Sequence, residues 1–380
     1  MLIRKLPNVG TTIFTQMSAL ANEHKAINLS QGFPNFDCVP YLKEQVSHYI
    51  NAGFNQYAPM AGVPELQQAI AHLTKQKYQA NIEPNTQITI TSGATEALFV
   101  AISTLVQPGD EVIIFDPAYD SYEPVIELAG GRTIHIPLLP PHYAIDWNLV
   151  EKTINKRTRA IILNNPHNPT GTILSSADIK ALQEILNNNN CYLISDEVYE
   201  HITFDDQPHL SILRYPELAS RAFVISSFGK SFHVTGWKVG YCIAPTMLTE
   251  EFRKIHQYVT FSTTTPIQKA IADTLTLCPH LITELGQFFQ KKRDLFAQAV
   301  KESQLPLLPC SGTYFQLLDY SQLSDLSDIE FSLWLTKEHK IATIPLSPFY
   351  ESTPNTQIIR VCFAKDEETL IKAASILCQL

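Results

Sequence analysis

The stretch "VISSFGKSFHVTGWKVGYC", Val224 to Cys242, places two lysines, Lys230 and Lys238, beyond an apolar run that closes on Ser226, Ser227 and Gly229. An amine that is partly desolvated and next to a second cation loses basicity and becomes a nucleophile or base, which is the state Schiff-base chemistry needs. Two other readings compete. "GKS" resembles the end of a phosphate loop, but G-x-x-x-x-G-K-[ST] needs glycine where Val224 stands, so the backbone freedom to wrap a nucleotide is missing. A lone loop lysine is ordinarily a solvated surface group; the hydroxyls and the second lysine favour covalent chemistry here.

Other segments carry groups that such chemistry would use. In "TSGATEAL", Gly93 and Ala94 stand between a strand-like and a helix-like run, so the helix would open with free N–H groups and the positive end of its dipole, an anion site. An ordinary tight turn explains the same residues equally well. Ser227 and Lys238 add a hydroxyl and an ammonium suited to the same anion. Asp196 in "LISDEVYE" closes another apolar run; alone it reads as a helix cap, whereas beside a Schiff-base lysine and an anion cup it suits the ring nitrogen of pyridoxal phosphate. "NPHNPTG" is a proline turn in which Asn168 offers an amide, with His167 read as structural. Arg360 interrupts "QIIRVCFA"; strand arginines usually cover apolar surface, but a fork on a rigid strand also grips a carboxylate. The aromatics Phe14, Tyr57, Tyr119, Tyr199 and Phe349 are by type more often core than site.

What must position these groups is a series of short apolar runs that end in polar residues: "QITITSG", "DEVIIFDPAYDSY", "TRAIILNNPHNPTG", "CYLISDEVYEH" and "RAFVISSFGKSF". Helix-like stretches such as "SADIKALQEILNN" lie between some of them. This alternation predicts a parallel α/β sheet over roughly residues 85 to 245, covered on both faces, with ligands bound at the carboxyl ends of the strands. Beyond about residue 265 long amphipathic patterns and a few strands predict an α+β second domain. The expected division is a segment 1–40 packing on the domains, a large domain 41–265 and a small domain 266–380.

The chain has 380 residues, 45% hydrophobic and 17% charged, enough for a large core. Its net charge of −9 argues against nucleic acid or an anionic membrane as partner. The seven scattered cysteines lack any C-x-x-C pair and read as reduced thiols, with no metal site expected. The start "MLIRKLPNVGTT" has no signal-like apolar run, and no apolar run approaches the roughly 18 residues of a membrane span, so a cytoplasmic protein is expected.

Taken together and in order, "NQYAPMAGVPELQQAI", "TSGATEAL", "NNPHNPTG", "SDEVYEH", "SSFGKSFHVTGWKVGY" and "IIRVCFAK" resemble the class I aminotransferases, fold type I of the pyridoxal phosphate enzymes. "INLSQGFPNF", "NQYAPMAG" and "GWKVGY" resemble the kynurenine, glutamine and methionine subgroup, and the likeness is closest to bacterial methionine aminotransferases. The resemblance implies a mostly parallel seven-stranded sheet between helices, a smaller α+β domain, and a homodimer with shared sites. It implies that Lys230 forms the Schiff base with pyridoxal 5′-phosphate, that Asp196 keeps the ring nitrogen protonated, and that Asn168 and Tyr199 bond the 3′-oxygen. Tyr119 would stack on the ring. Ala94, Thr95, Ser227, Lys238 and Tyr57 of the other subunit would hold the phosphate. Arg360, Asn168 and the backbone at Gly32 would take the substrate carboxylate, with Phe14 and Phe349 lining an apolar pocket. Lys238 replaces the arginine of aspartate aminotransferases at that phosphate position, and no second arginine for a dicarboxylate stands out.

The implied reaction moves an amino group from methionine, and from glutamine or aromatic amino acids, to a 2-oxo acid with ping-pong kinetics. A kynurenine- or glutamine-preferring transaminase and a cysteine-conjugate β-lyase are the near alternatives. A ligand-sensing module of a transcription factor is disfavoured, because too little chain precedes Ile27 for a winged helix.

Overall fold

A computed structural model describes residues 4–380 apart from 353 and 355. Twelve strands are formed: β1 (Ile27–Asn28), β2 (Ile88–Thr91), β3 (Glu111–Asp116), β4 (Arg132–Pro137), β5 (Thr158–Asn164), β6 (Tyr192–Asp196), β7 (Ala222–Ser227), β8 (Gly240–Ile243), β9 (Phe315–Asp319), β10 (Ile341–Ala342), β11 (Ile344–Pro345) and β12 (Ile358–Cys362). Seven of them build one sheet in the order β2-β8-β7-β6-β5-β3-β4. Neighbours are parallel except at β8, which runs antiparallel to both β7 and β2. The mostly parallel seven-stranded sheet expected from the resemblance is present. The five runs quoted above supply five of its strands. The other two come from "RTIHIP", half-exposed at one edge, and "GYCI", too short to stand out.

Burial on both faces explains why these strands read as continuous apolar runs. In β5, Ala160 and Ile162 enter one core while Ile161 and Leu163 enter the other, and in β7 Phe223 and Ile225 oppose Ala222 and Val224 in the same way. The helices Ala94–Leu105 and Thr246–Val259 cover one face. The helices Pro64–Tyr78 and Ser176–Asn188 contribute to the core on the other. The second of these helices stops within the asparagine run 187–190. The helix Thr265–Leu277, expected at the start of the smaller domain, packs instead on the helices Pro40–Asn51 and Pro64–Tyr78 through Ala270, Ile271 and Leu275, because that is its apolar face.

A separate core forms around the antiparallel sheet β11-β12-β9 and the helices Leu285–Ala299, Asp328–Glu338 and Glu367–Leu377. The early chain closes on this part: β1 pairs with β10, and the helix Ile13–Glu23 sets Met17 against Ile344 and Phe349. Tyr199, Ile202 and Phe204 carry the large sheet's chain into the same core, so the two cores meet just beyond the end of β6. Among the described residues no helix is long and apolar enough to cross a membrane.

Candidate active site

The carboxyl ends of β2, β5, β6 and β7 converge on a cavity of about 160 Å³. Ala94, Thr95, Tyr119, Asn168, Asp196 and Tyr199 line it, and so do Ser227, Lys230 and Lys238. Residues more than 140 positions apart in sequence are therefore gathered in one place, and every group anticipated around the cofactor is there except Tyr57.

Lys230 sits in the turn Phe228–Ser231 immediately after β7. Its Nζ donates to the Gly32 carbonyl at 3.3 Å and lies 5.6 Å from the ring centres of both Tyr199 and Tyr314. Burial, aided by the charges of Arg360 and Lys238, brings its pKa down to about 8, so the neutral amine is far more accessible near neutral pH than in an ordinary lysine, though the ammonium still predominates. Asp196 ends β6 and is 4% exposed. Burial pushes its carboxyl up to about 6; the Tyr122 hydroxyl, the Val198 N–H and the charge of Lys230 pull the other way. An acid raised and an amine lowered in one cavity are what a site built for proton transfer requires.

At one end of the cavity the helix Ala94–Leu105 starts with no side-chain cap, leaving its first N–H groups free. Gly93 precedes it at φ +78°, and a Cβ there would come 3.2 Å from Lys238 Nζ. Lys238 itself has a left-handed backbone (φ 53°, ψ 58°) after the turn Thr235–Trp237, which brings its ammonium to Gly93. Free N–H groups, an ammonium and the Ser227 hydroxyl make a cup suited to a phosphate, with room that a side chain at Gly93 would fill.

Arg360, in β12 of the smaller sheet, is 1% exposed. It donates to Asn168 Oδ1 at 2.8 Å and to the Ser30 carbonyl at 3.1 Å, and its guanidinium lies 3.9 Å from the Phe315 ring centre. Its Nε is buried and has no partner among the described residues. Burial brings its pKa to about 10, still well above neutral, so the site holds a fixed positive charge with hydrogen-bonding capacity to spare. Phe14 packs tilted against Phe349, ring centres 5.4 Å apart, and lies 5.3 Å from the Arg360 guanidinium, so an aromatic wall adjoins the cation. The Gly32 carbonyl is claimed by Lys230 and by the Tyr314 hydroxyl at 2.6 Å.

Tyr57 lies outside this cavity. It is 83% exposed and packs edge-on to Phe261. Two contributors were missed from sequence. Tyr314, within "GTYFQLLDY", frames Lys230 and Gly32 from β9's approach, a contact across 282 positions that no local pattern reveals. Tyr122 donates to Asp196 Oδ2 at 2.6 Å; its spacing of three from Tyr119 at the start of a helix was the available signal.

Comparison with known proteins agrees with this geometry. The family described as aminotransferase class I and II matches residues 24–377. Methionine aminotransferase of Escherichia coli is 53% identical over 376 residues, covering 99% of this chain and 97% of that protein. The crystal structure of YbdL from Escherichia coli, identified there with a methionine aminotransferase function, superposes with a TM-score of 0.98 at 52% identity, covering both chains completely. Human kynurenine–oxoglutarate transaminase 3 is 33% identical, over 98% of this chain and 89% of its own length. The chain belongs to the class I and II aminotransferases.

Proposed function

We propose that this aminotransferase uses pyridoxal 5′-phosphate, takes its amino group from methionine and passes it to a 2-oxo acid in two successive half-reactions at one site. The observation that carries this reading is the joint presence, in one cavity, of the Lys230 amine, the Asp196 carboxylate and the uncapped start of the helix Ala94–Leu105. When bound, the cofactor supplies a carbonyl for amine exchange and a protonated ring that withdraws electrons from the substrate Cα.

The chain's own residues divide the remaining work. Lys230 Nζ would hold the cofactor through its carbonyl carbon and, once freed by the donor amine, would serve as the base that takes the Cα proton and as the acid that returns it to the carbon receiving the amino group. Asp196 keeps a proton on the ring nitrogen. The Asn168 amide and the Tyr199 hydroxyl would hydrogen-bond the ring oxygen, and Tyr119 would pack on the ring; all three line the cavity. Ala94, Thr95, Ser227 and Lys238 receive the phosphate. Arg360 meets the substrate carboxylate with its free N–H capacity, with Asn168 and the backbone at Gly32 beside it.

Phe14 and Phe349 offer an aromatic wall to the donor side chain, which suits a thioether. Similarity to the E. coli enzyme supports methionine, and one methylene in such a pocket is worth about 1–3 kcal/mol of selectivity. Kynurenine or glutamine is the second reading, and the human relative supports kynurenine. A second copy of the chain is the proposed partner: Tyr57 and Phe261 form an exposed aromatic pair, and a symmetric dimer would bring Tyr57 to the neighbouring phosphate cup. The free cysteines suit a cytoplasmic setting.

The test is an absorbance spectrum of the purified protein loaded with cofactor, before and after L-methionine and then after a 2-oxo acid. A band that shifts with methionine and returns with the oxo acid is expected. A band unmoved by methionine but moved by kynurenine or glutamine would replace the donor; pyruvate and ammonia released from a cysteine conjugate without any acceptor would favour the lyase. No band at all would overturn the cofactor reading.

A further inference from the structure

The two oxygens of Asp196 are held unequally. Oδ2 accepts from the Tyr122 hydroxyl at 2.6 Å, whereas Oδ1 has only the Val198 N–H at 3.3 Å. Tyr122 is 3% exposed and opens the helix Tyr122–Leu128. Its ring also meets Tyr119 edge-on, with centres 5.6 Å apart at 79°. One side chain thus touches both the carboxylate assigned to the ring nitrogen and the aromatic residue assigned to the ring face.

We propose that Tyr122 is a positioning residue of the reaction: its hydroxyl pins Asp196 Oδ2, leaves Oδ1 for the pyridine nitrogen, and keeps the proton of that pair on the nitrogen. The inference rests on the proposed cofactor. A carboxylate that accepts a phenol's hydrogen bond is a weaker base than one that does not, and a weaker base beside a pyridine leaves the proton on nitrogen.

The groups facing Asp196 are few. Tyr122 approaches from its helix, Val198 N–H and Glu197 from the segment after β6, Lys230 from the turn after β7, and Tyr119 and Tyr199 from the cavity walls. Burial and Glu197 favour the neutral acid; Tyr122, Val198 and Lys230 favour the anion. Tyr122 remains a donor throughout, because burial and the nearby Asp196 charge raise its own pKa well above the ordinary range. Once Lys230 is engaged by the cofactor its ammonium charge no longer supports Asp196, and the Tyr122 hydroxyl is the side-chain donor left to do so.

Ring-15N-labelled cofactor in wild type, Tyr122→Phe and Tyr143→Phe tests this. Tyr143 is the internal control: its hydroxyl is buried without a partner and lines a separate cavity of about 130 Å³ that Tyr122 also borders. In Tyr122→Phe the nitrogen resonance should move from the pyridinium toward the pyridine position, and kcat should fall about 10- to 100-fold with little change in KM. Tyr143→Phe should keep the wild-type resonance. In the cofactor-free protein, a 13C carboxyl titration should place Asp196 higher in Tyr122→Phe than its wild-type value of about 6. That titration decides the matter if the variant loads cofactor poorly. An unchanged 15N shift in loaded Tyr122→Phe, or an unchanged Asp196 titration in the empty one, overturns the inference. A wild type that takes up no cofactor is a different failure: the proposed function falls, and this inference with it.

Discussion

Arg360 and Asn168, 192 residues apart in sequence, are joined by a 2.8 Å hydrogen bond from the guanidinium to the amide oxygen. The bond links β12 of the smaller sheet to the turn after β5 of the large one, so the guanidinium is oriented by a loop that also lines the cavity holding Lys230. It also fixes the Asn168 amide with its N–H₂ group turned away from the guanidinium and available to a ligand. Arg360→Lys keeps a positive charge but loses the fork and the contact with Asn168. We expect KM for amino acid and oxo acid to rise together, about 10- to 100-fold, with the cofactor band intact. Steady-state kinetics beside a spectrum checks this; a change in only one substrate's KM would mean that Arg360 is not the shared carboxylate site.

The amine of Lys230 titrates near pH 8 rather than in the ordinary lysine range. Because its folded pKa is lowered, Lys230 gives up its proton at lower pH than an ordinary lysine: the ammonium predominates below about 8 and the neutral nucleophile accumulates as pH rises through it. Uptake of pyridoxal 5′-phosphate by the empty protein should therefore accelerate from pH 7 to 9 and level off above. Borohydride reduction should fix the cofactor on the peptide bearing Lys230. Lys230→Ala should fold, give no such adduct and lose turnover; substantial residual transamination in that variant would sink the assignment.

Much of this site was legible because the large sheet puts its chemistry where its apolar runs stop. Asp196, Ser227 and the turn bearing Lys230 each follow three or more buried residues, so a break in hydrophobicity also marks the ligand crevice. Arg360 was visible for the converse reason, as a charge inside a strand whose other residues are all buried. What stayed hidden was set by tertiary contact. Strand β4 lies at the sheet edge and is half-exposed, so its pattern is weak. Tyr314 and Tyr122 look like ordinary core aromatics until the fold brings their hydroxyls to Gly32 and Asp196. Tyr57 carries no sign in a single chain beyond its exposure, since its proposed target belongs to another copy.

Gly93 is a sharp test of the phosphate cup. A side chain there would be strained at φ +78° and would crowd Lys238 Nζ at 3.2 Å. Gly93→Ala should weaken binding of pyridoxal 5′-phosphate about tenfold or more while leaving the affinity for pyridoxal, which has no phosphate, nearly unchanged. Fluorescence titration with the two compounds measures the difference. An equal loss for both would point to general damage of the turn and remove the phosphate from this end of the cavity.

The shared site can be tested by mixing defects. If each cavity uses Lys230 from one chain and Tyr57 from the other, Tyr57→Ala and Lys230→Ala proteins are each impaired at both sites of their own dimers. A hybrid of the two has one cavity with both substitutions and one with neither. Co-expression with two affinity tags isolates that hybrid, and it should recover close to half of the wild-type turnover per dimer. The recovery cannot come from the Lys230→Ala chain's own cavity, because that cavity lacks the amine whatever its partner supplies. If Tyr57 instead serves the cavity of its own chain, the Tyr57→Ala subunit stays impaired in the hybrid and the recovered activity does not exceed that of the Tyr57→Ala dimer per intact Lys230. Tyr57 stands 83% exposed, packed on Phe261 and outside the cavity that Lys230 lines, so recovery is the outcome its position favours.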